Sequence, residues 1–559
     1  MQKLIECVPN FSEGRDAAVI DAITAQVETV EGVKLLDVDP GQATNRTVVT
    51  FVGPPEAVIE AAVRVVAKAS ELIDMSTHSG EHPRFGATDV CPLVPVAGVT
   101  MEETVEYART LARRLGEELG LSIFCYESAA LVPERQNLAV VREGEYEGLA
   151  ARLGDARWKP DFGPAAFNAR SGATAVGARD FLVAYNINLN TTSTRRANAI
   201  AFDVRERGRV KRQGDPLTGE IVRDENGDKV WVPGSLKCVK GIGWFIEEYG
   251  VAQISMNLTN ISVTPVHAAF DEVCRKAEAR GVRVTGSELV GLMPLSSILD
   301  AGRYFLQKQK RSTGVSDAEL IKIAIKSMGL DELTPFDPRE KIIEYAIEDR
   351  SNRLVDLSVR GFVEETASES VAPGGGSVSA NLGALGAALG TMVANLSSHK
   401  RGWDARWEEF SDWAEKGKAR HDELLALIDR DTDAFNAIMG AFGLPKASDA
   451  EKAARQEAIQ AATRQAIEVP LSVMEKSLEA MDVIAAMAKD GNPASVSDAG
   501  VGALCARSAV MGAYLNVRIN AKDLADDAVR GDYLRRGQDI QDRAIAREGE
   551  ILALVDERL

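Results

Sequence analysis

Residues 4–72 read LIECVPNFSEGRDAAVIDAITAQVETVEGVKLLDVDPGQATNRTVVTFVGPPEAVIEAAVRVVAKASEL, and this stretch determines the fold class of the first half of the chain. Short apolar, β-branched runs alternate with amphipathic stretches of helical period. The pattern predicts strands at 4–8, 33–38 and 47–52 and helices at 17–29 and 55–72. A β-α-β-β-α order indicates a split, ferredoxin-like α+β sandwich rather than a doubly wound parallel sheet.

The remainder of the chain contains a second α+β unit, after which the hydrophobic periodicity becomes helical. A strand at 181–187 begins the second unit, and the polar stretch 205–236 interrupts it. Because Asn226-Gly227 is a strong hairpin signal, we expect a surface β-ribbon there. From about Leu354 onward almost every segment has helical periodicity, which predicts an all-α bundle. The predicted division is therefore 1–180, 181–335, a linker at 336–353 and the bundle at 354–559.

Composition limits the class of protein. A chain of 559 residues is too long to fold around a single hydrophobic core, so we expect two or three domains. Its 45% apolar and 26% charged residues are typical of soluble proteins. The net charge of −18 argues against a nucleic-acid-binding surface. The six cysteines are scattered without a C-x-x-C pair, which favours reduced thiols over a disulfide framework or a zinc site. With no apolar signal segment at residues 1–6, we expect a cytoplasmic protein.

One uncharged segment, residues 378–396, approaches the length of a membrane span. Polar residues recur within it, and Gly383, Gly386 and Gly390 punctuate it. These features favour a tightly packed helix inside a soluble bundle, so no membrane partner is expected.

The densest group of chemically versatile residues is the segment 78–90. Two of the five histidines in the chain, His78 and His82, lie here, in a Gly/Pro-broken loop before an apolar strand. A proton-transfer histidine, a structural loop histidine and a metal ligand are all compatible with this position. H-E-x-x-H spacing is absent and Pro83 would break a helix, so a zinc motif is disfavoured. The chain also lacks a phosphate-binding glycine motif and a nucleophile elbow.

Longer motifs carry a family resemblance. In the first half they are Glu6–Gly14, Leu36–Asp39, Thr44–Val48, Gly80–Arg84, Asp161–Pro164, Ala184–Leu189 and Leu289–Leu292, which resemble glutamate formiminotransferase. In the second half they are Ala372–Ser377, Leu427–Asp431, Val469–Leu471 and Asn516–Asn520, which resemble formiminotetrahydrofolate cyclodeaminase. The resemblance covers nearly the whole chain in the order of the bifunctional enzyme. The ribbon at 205–236 is longer than expected for the family, which leaves its role open.

The resemblance implies an enzyme that transfers the formimino group of N-formiminoglutamate to tetrahydrofolate and then cyclises the product to 5,10-methenyltetrahydrofolate with release of ammonia. It implies that His82 and Asp431 are the catalytic residues of the two reactions. It also implies a homo-oligomer, a folate co-substrate that can be polyglutamylated, and no metal. The folate-binding loop that it implies consists of Gly163, Pro164, Ala165, Ala166, Phe167, Asn168, Ala169, Arg170, Ser171 and Gly172.

Charge logic adds further candidates beside the implied residues. Asp39 could stabilise a cationic amidinium, and Arg84 could hold a substrate carboxylate, although a structural salt bridge fits both residues as well. We also expect Asn188, which lies inside the Ala184–Leu189 motif, to bind substrate.

In the second half, Asp429, Asp431 and Asp433 lie on one helical segment, in which Asp429 and Asp433 are spaced i, i+4 and Asp431 points elsewhere. Clustered carboxylates would raise one another's pKa values if they were desolvated, and a solvated acidic face is the alternative. The amides of Gly374, Gly375 and Gly376 could bind an anionic or carbonyl oxygen at a helix start, or form only a flexible turn. Asn516 and Asn520, spaced i, i+4, could hydrogen-bond a pterin edge.

Two other functions stay open at the level of sequence. One is a folate-binding or scaffolding protein without turnover, and the other is a transferase with a degenerate second domain. The presence of both His82 and Asp431 argues against the first. The oligomer size, the polyglutamate preference and any transfer of intermediate between sites cannot be read from the sequence.

Overall fold

The computed structural model describes residues 3–41, 45–80, 84–214, 218–247, 249–348 and 353–559. The chain divides into two compact units, one formed by Met1–Ile298 with Ile325–Glu348 and the other by Leu299–Ala324 with Asp349–Leu559. The predicted division assigns Leu299–Ala324 to the second α+β domain, but this segment packs in the helical unit. There, the Thr313 amide donates to the Ser411 hydroxyl oxygen (3.0 Å) in a buried contact.

The first sheet contains seven strands. The strands are β1 (Leu4–Cys7), β2 (Asn10–Phe11), β3 (Lys34–Gly41), β4 (Arg46–Gly53), β5 (Thr88–Ala97), β6 (Ser122–Glu127) and β7 (Ala173–Ala178). The accompanying helices are α1 (Ala17–Thr24), α2 (Pro55–Leu72), α3 (Met101–Glu118), α4 (Leu138–Val141) and α5 (Glu145–Leu153). The pairings β3–β4, β4–β1 and β1–β5 are antiparallel, and β7 and β6 extend the sheet in parallel. The order β3-β4-β1-β5 confirms the predicted ferredoxin-like arrangement.

The second sheet repeats that arrangement. Its elements are β8 (Val183–Leu189), α6 (Thr194–Val204), β9 (Arg209–Val210), β10 (Trp231–Val232), β11 (Val239–Ile246), β12 (Val251–Leu258), α7 (Val266–Glu278) and β13 (Val284–Val290). The strand order is β11-β12-β8-β13, with antiparallel pairing throughout. Strands β9 and β10 form the predicted ribbon, and the Asn226-Gly227 turn within it has Gly227 at a φ of +83°.

Helices dominate the rest of the chain. The helices α8 (Leu295–Lys308), α9 (Asp317–Met328), α10 (Pro338–Lys341) and α11 (Ile343–Ile347) follow the second sheet. The bundle consists of α12 (Val359–Thr366), α13 (Gly375–Ser398), α14 (Trp407–Gly443), α15 (Asp449–Asp490), α16 (Val496–Ala521) and α17 (Asp527–Asp556). The predicted all-α domain is therefore confirmed.

Helix α13 is the core helix of the bundle. Among the described helices it alone is long and apolar enough to cross a membrane, with a mean hydropathy of 1.3, but 61% of its most apolar window is buried. It packs against α14, α15 and α16. A Cβ at Gly386 would lie 2.8 Å from the Gly502 carbonyl oxygen, so its glycines serve close helix approach. This agrees with the packed core helix expected from the sequence.

Candidate active sites

The carboxylate of Asp431, which lies within α14, is partly buried in the helical unit. It faces the first turn of α13, where Ser377 is fully buried. The Ser377 amide donates to Asp431 Oδ2 at 2.9 Å, and the Ser377 hydroxyl lies 3.2 Å from the same oxygen. The Ser377 hydroxyl hydrogen is shared between the Ile428 carbonyl oxygen (3.0 Å) and Asp431 Oδ2, and within the described residues Oδ1 accepts no hydrogen bond. One carboxylate oxygen is held in place while the other is left for a ligand.

Burial raises the pKa of the Asp431 carboxyl above its ordinary value, and the two hydrogen bonds from Ser377 oppose this shift without cancelling it. The neighbouring carboxylates do not contribute. Asp429 accepts a 2.7 Å hydrogen bond from the Leu354 amide, and Asp433 is exposed. Residues two apart on a helix point about 200° away from each other. The condition for mutual repulsion, desolvation of the three carboxylates together, is therefore not met, and desolvation of Asp431 itself raises its pKa.

The glycine turn before α13 shapes this site. A Cβ on Gly376 would overlap the Asp431 carboxylate, and a Cβ on Gly375 would lie 3.3 Å from Asn516 Nδ2. Within the described chain no acceptor is recorded for the amides of Gly375 and Gly376. The Ser377 amide, by contrast, is already bound to Asp431. The turn therefore brings Asp431 against the backbone and leaves two amides for an anionic or carbonyl oxygen.

The two asparagines of α16 have different surroundings. Asn516 borders Gly375, and its Nδ2 donates to the Gly512 carbonyl oxygen at 3.0 Å. Asn520 Nδ2 donates to the Ala466 carbonyl oxygen at 2.7 Å. That carbonyl lacks its usual helical donor because Pro470, four residues on in α15, has no amide hydrogen. The Asn520 side-chain amide thus supplies the hydrogen-bond donor that α15 lacks, whereas Asn516 lies at the glycine turn beside Asp431.

In the α+β unit the implied catalytic residue, His82, falls outside the described residues, as do Glu81 and Pro83. Its neighbour His78 is half-buried, and its Nε2 lies 2.9 Å from the Asn45 carbonyl oxygen. Burial lowers the pKa of His78, so this imidazole is neutral near neutral pH. On the other side, Arg84 forms an ion pair with Glu147 and lies 6.0 Å from the centre of the Tyr146 ring. The structural salt bridge considered for Arg84 is present.

The exposed loop 163–170 ends in the buried Ser171 and Gly172 and is joined to both sides of the histidine-containing segment. The Met75 amide donates to the Arg170 carbonyl oxygen (2.9 Å), and the Ala87 amide donates to the Ser171 carbonyl oxygen (2.8 Å). A Cβ on Gly172, where φ is +64°, would lie 2.5 Å from the Phe85 carbonyl oxygen. The structure thus brings together two segments that lie about 80 residues apart in sequence.

The loop also carries an aromatic surface. The Phe167 ring is exposed and lies 5.5 Å from the Tyr146 ring, centre to centre. The Tyr146 hydroxyl donates to the Ala169 carbonyl oxygen at 2.5 Å. A flat aromatic ligand can stack on such a pair. Sequence reasoning missed Tyr146, because nothing local connects it with the loop.

Two other predicted residues lie in different settings. Asp39 is exposed on β3, opposite Val48 of β4. Asn188 is fully buried: its Nδ2 donates to Glu332 Oε2 (2.8 Å), and its Oδ1 accepts from Gln253 Nε2 (2.8 Å). Both ends of the Asn188 amide are therefore engaged within the protein. Sequence reasoning also gave no role to Ser377, although a hydroxyl residue directly after a glycine run at a helix start is a recognisable signal.

Possible metal ligands are dispersed in the described part of the chain. Among those residues, no group of three or more His, Cys, Asp or Glu side chains could hold a metal ion. All six cysteines are free thiols.

Three models of related protein families match successive regions of the chain. Residues 4–179 match the family model of the formiminotransferase domain, N-terminal subdomain, and residues 184–348 match the formiminotransferase domain. Residues 358–538 match formiminotransferase-cyclodeaminase.

Individual relatives are similar over the same regions. The formimidoyltransferase-cyclodeaminase of Rattus norvegicus is 42% identical over 560 residues, covering 100% of both chains. That of Mus musculus is 44% identical over 95% of this chain and 94% of its own. The glutamate formimidoyltransferase of Streptococcus pyogenes is 42% identical over 55% of this chain and 94% of its own. The first half of the chain is thus similar to a separate protein, and the whole chain to a fused one.

Proposed function

The chain belongs to the formimidoyltransferase-cyclodeaminase family, and from that premise we propose which of its residues perform the two reactions. It is a bifunctional folate enzyme with glutamate formimidoyltransferase and formimidoyltetrahydrofolate cyclodeaminase activities. Tetrahydrofolate is the co-substrate that accepts the formimino group from N-formiminoglutamate. The second activity then closes the 5,10-methenyl ring and releases ammonia.

In cyclodeamination, Asp431 moves one proton. N10 attacks the carbon of the protonated formimino group, an amidinium whose nitrogen thereby becomes a neutral amino group, and the new bond leaves a surplus proton on N10. The Asp431 carboxylate takes this proton and, as the carboxylic acid, delivers it to the amino nitrogen. The carbon–nitrogen bond then breaks, ammonia departs and the methenyl cation remains, so the carboxylate is regenerated. One group serves as base and then as acid, with no net proton gained or lost by the protein.

The observation that carries this assignment is the enclosure of Asp431 against the first turn of α13. Burial raises the pKa of Asp431 toward the working range of an acid-base catalyst, and Ser377 fixes Oδ2 so that Oδ1 is presented. Asp429 is engaged by the Leu354 amide and Asp433 is solvated, so neither competes for this role.

In the transfer reaction, we assign proton transfer to His82. N5 of tetrahydrofolate must lose a proton as it attacks, and the glutamate nitrogen must gain one as it leaves, which suits an imidazole titrating near neutrality. Support comes from the position of the loop at 163–172, which is bonded to both flanks of the segment that contains His82. The Phe167 and Tyr146 rings offer a surface for the planar parts of the folate.

The substrate carboxylates require cations in this unit. Arg84 remains our candidate, because its partner Glu147 is exposed and such a pair contributes only about 0–1 kcal/mol, so a substrate carboxylate can displace it. Asp39 is accessible and can stabilise the cationic amidinium. Asn188, whose amide is fully engaged, instead positions Gln253 and Glu332.

We further propose that the enzyme is a cytoplasmic homo-oligomer of histidine degradation that accepts polyglutamylated folate. Free cysteines support a reducing compartment. The outer faces of α13 and α16 expose large apolar side chains, among them Leu385, Leu396, Val501 and Leu504, and a second copy of the chain would cover them. Light scattering coupled to size exclusion tests the oligomer, and a monomer at micromolar concentration would refute it.

A two-step assay tests both activities. Glutamate release from N-formiminoglutamate reports the first reaction, and methenyl absorbance from supplied 5-formiminotetrahydrofolate reports the second. We expect the parent to perform both and Asp431→Asn to perform only the first. Failure of the parent in the second step would mean that the helical unit is degenerate, and folate binding without turnover would identify a binding protein.

A further inference from the structure

A cavity of about 540 Å³ lies at the end of the helical bundle between α16 and α17. It has no part in the proton transfer assigned to Asp431. The residues that line its walls combine three apolar and three cationic side chains with one alanine: Leu515, Arg518, Ile519, Ala521, Lys522, Arg530 and Leu534.

Two of these cations have no acidic partner. Within the described residues, no carboxylate lies in ion-pairing distance of Arg518 or Lys522, whereas Arg530 is paired with Asp527 at 2.6 Å. Arg518 and Lys522 are spaced i, i+4, so like charges face each other on one side of α16 and repel. In a chain of net charge −18, such a pair is stabilised when an anion binds between them.

The apolar residues of the cavity are unusually exposed. Leu515 and Ile519, on the same face of α16, have 62% and 59% of their surface accessible to solvent. Apolar area of this kind next to unpaired cations fits a ligand with an apolar body and a negatively charged end. The two features together define the chemistry of the ligand.

The cavity is close to the Asp431 site. Helices α13 and α16 run antiparallel, because a Cβ at Gly512 would meet Ser379 while a Cβ at Gly375 would meet Asn516. The residues of α16 beyond Asn516 therefore extend past the first turn of α13. Lys522 lies six residues further on, about 9 Å along the helix axis.

We propose that this cavity binds the aminobenzoyl-glutamate end of the folate during cyclodeamination. The inference rests on the proposed function of Asp431. In the substrate, the reacting N5 and N10 atoms are separated from the glutamyl carboxylates by an aromatic ring and an amide, so the two ends need separate sites. The ring packs on Leu515 and Ile519, and the carboxylates bind Arg518 and Lys522.

The test compares two substrates in the full-length protein. One is 5-formiminotetrahydrofolate, and the other is the carboxamide of 5-formiminotetrahydropteroate (below, the pteroate), which lacks the glutamate and carries no carboxylate. With the folate, the double variant Arg518→Gln, Lys522→Gln should raise KM about 10- to 100-fold, because each charge-assisted contact contributes roughly tenfold. With the pteroate, parent and variant should have the same KM.

The control variant is Arg543→Gln, which removes an exposed cation of α17 that is paired with Asp539 outside the cavity. It should behave like the parent with both substrates. An unchanged KM for the folate in the double variant overturns the inference, and so does an equal rise with both substrates, since the cations would then act without the glutamate. A parent without cyclodeaminase activity would instead refute the proposed function.

Discussion

The glycine at position 376 should be required for catalysis rather than for folding. In α13 its backbone has ordinary helical geometry, so alanine is conformationally permitted there. The obstacle is the Asp431 carboxylate: a Cβ at position 376 would lie 2.5 Å from Oδ2, and ordinary contact begins at 3.4 Å. Because Oδ1 would lie still closer to that Cβ than Oδ2 does, the carboxylate must retreat by more than the roughly 0.9 Å that separates these two distances.

A displacement of that size determines how far the rate of cyclodeamination should fall. Misplacing a reacting group by about 1 Å costs on the order of 10²-fold in rate, because the near-attack geometry is lost. Gly376→Ala should therefore lower the kcat of cyclodeamination about 100-fold while glutamate release in the first reaction continues. The measurement is methenyl absorbance from supplied 5-formiminotetrahydrofolate. Helix propensity favours alanine by about 0.5–1 kcal/mol, which offsets part of the steric cost to stability.

The neighbouring glycines provide a graded control. At Gly374 a Cβ would meet only the Val371 carbonyl oxygen at 3.9 Å, so Gly374→Ala should keep the parent rate. At Gly375 it would lie 3.3 Å from Asn516 Nδ2, which predicts an intermediate effect. Equal losses at all three positions would show that flexibility of the turn matters, and a parent rate in Gly376→Ala would refute the placement of Asp431.

Four further predictions concern single side chains. Asp431→Asn should slow cyclisation about 10²–10⁴-fold while Asp429→Asn does not, and reversed results would move the catalytic role by two residues. Burial raises the pKa of Asp431, so the folded state binds more protons than the unfolded state at pH values between the ordinary and the raised pKa. The parent should therefore lose stability relative to Asp431→Asn as the pH rises through that window. Urea unfolding at several pH values measures this difference. Asn520→Ala leaves the Ala466 carbonyl without a donor and should cost about 1–3 kcal/mol of unfolding free energy; an unchanged urea midpoint would contradict this. His82→Ala should slow glutamate release about 10²–10⁴-fold and spare cyclisation, and a parent transfer rate would remove His82 from the mechanism.

The sequence by itself determined the architecture and the names of the candidate residues. Hydrophobic periods of two and of 3.6 residues are local properties of the chain, so the strands from Leu4 onward, α2 and the helical bundle could be predicted with nearly the observed bounds. Long motifs directed attention to Asp431 and to the glycine turn. The hydrogen bond between the Ser377 amide and Asp431, which lie 54 residues apart, could not be predicted from either motif alone.

Only the tertiary structure decided what those side chains do. Helical spacing already separates Asp431 from the face shared by Asp429 and Asp433, but only the tertiary structure shows that the first turn of α13 encloses Asp431. Asn520 looks like a ligand-binding residue and instead repairs the helix interrupted at Pro470. The physical reason is that desolvation and hydrogen bonding depend on which distant segments close over a group. A local window of sequence contains the group itself but not the segments that surround it.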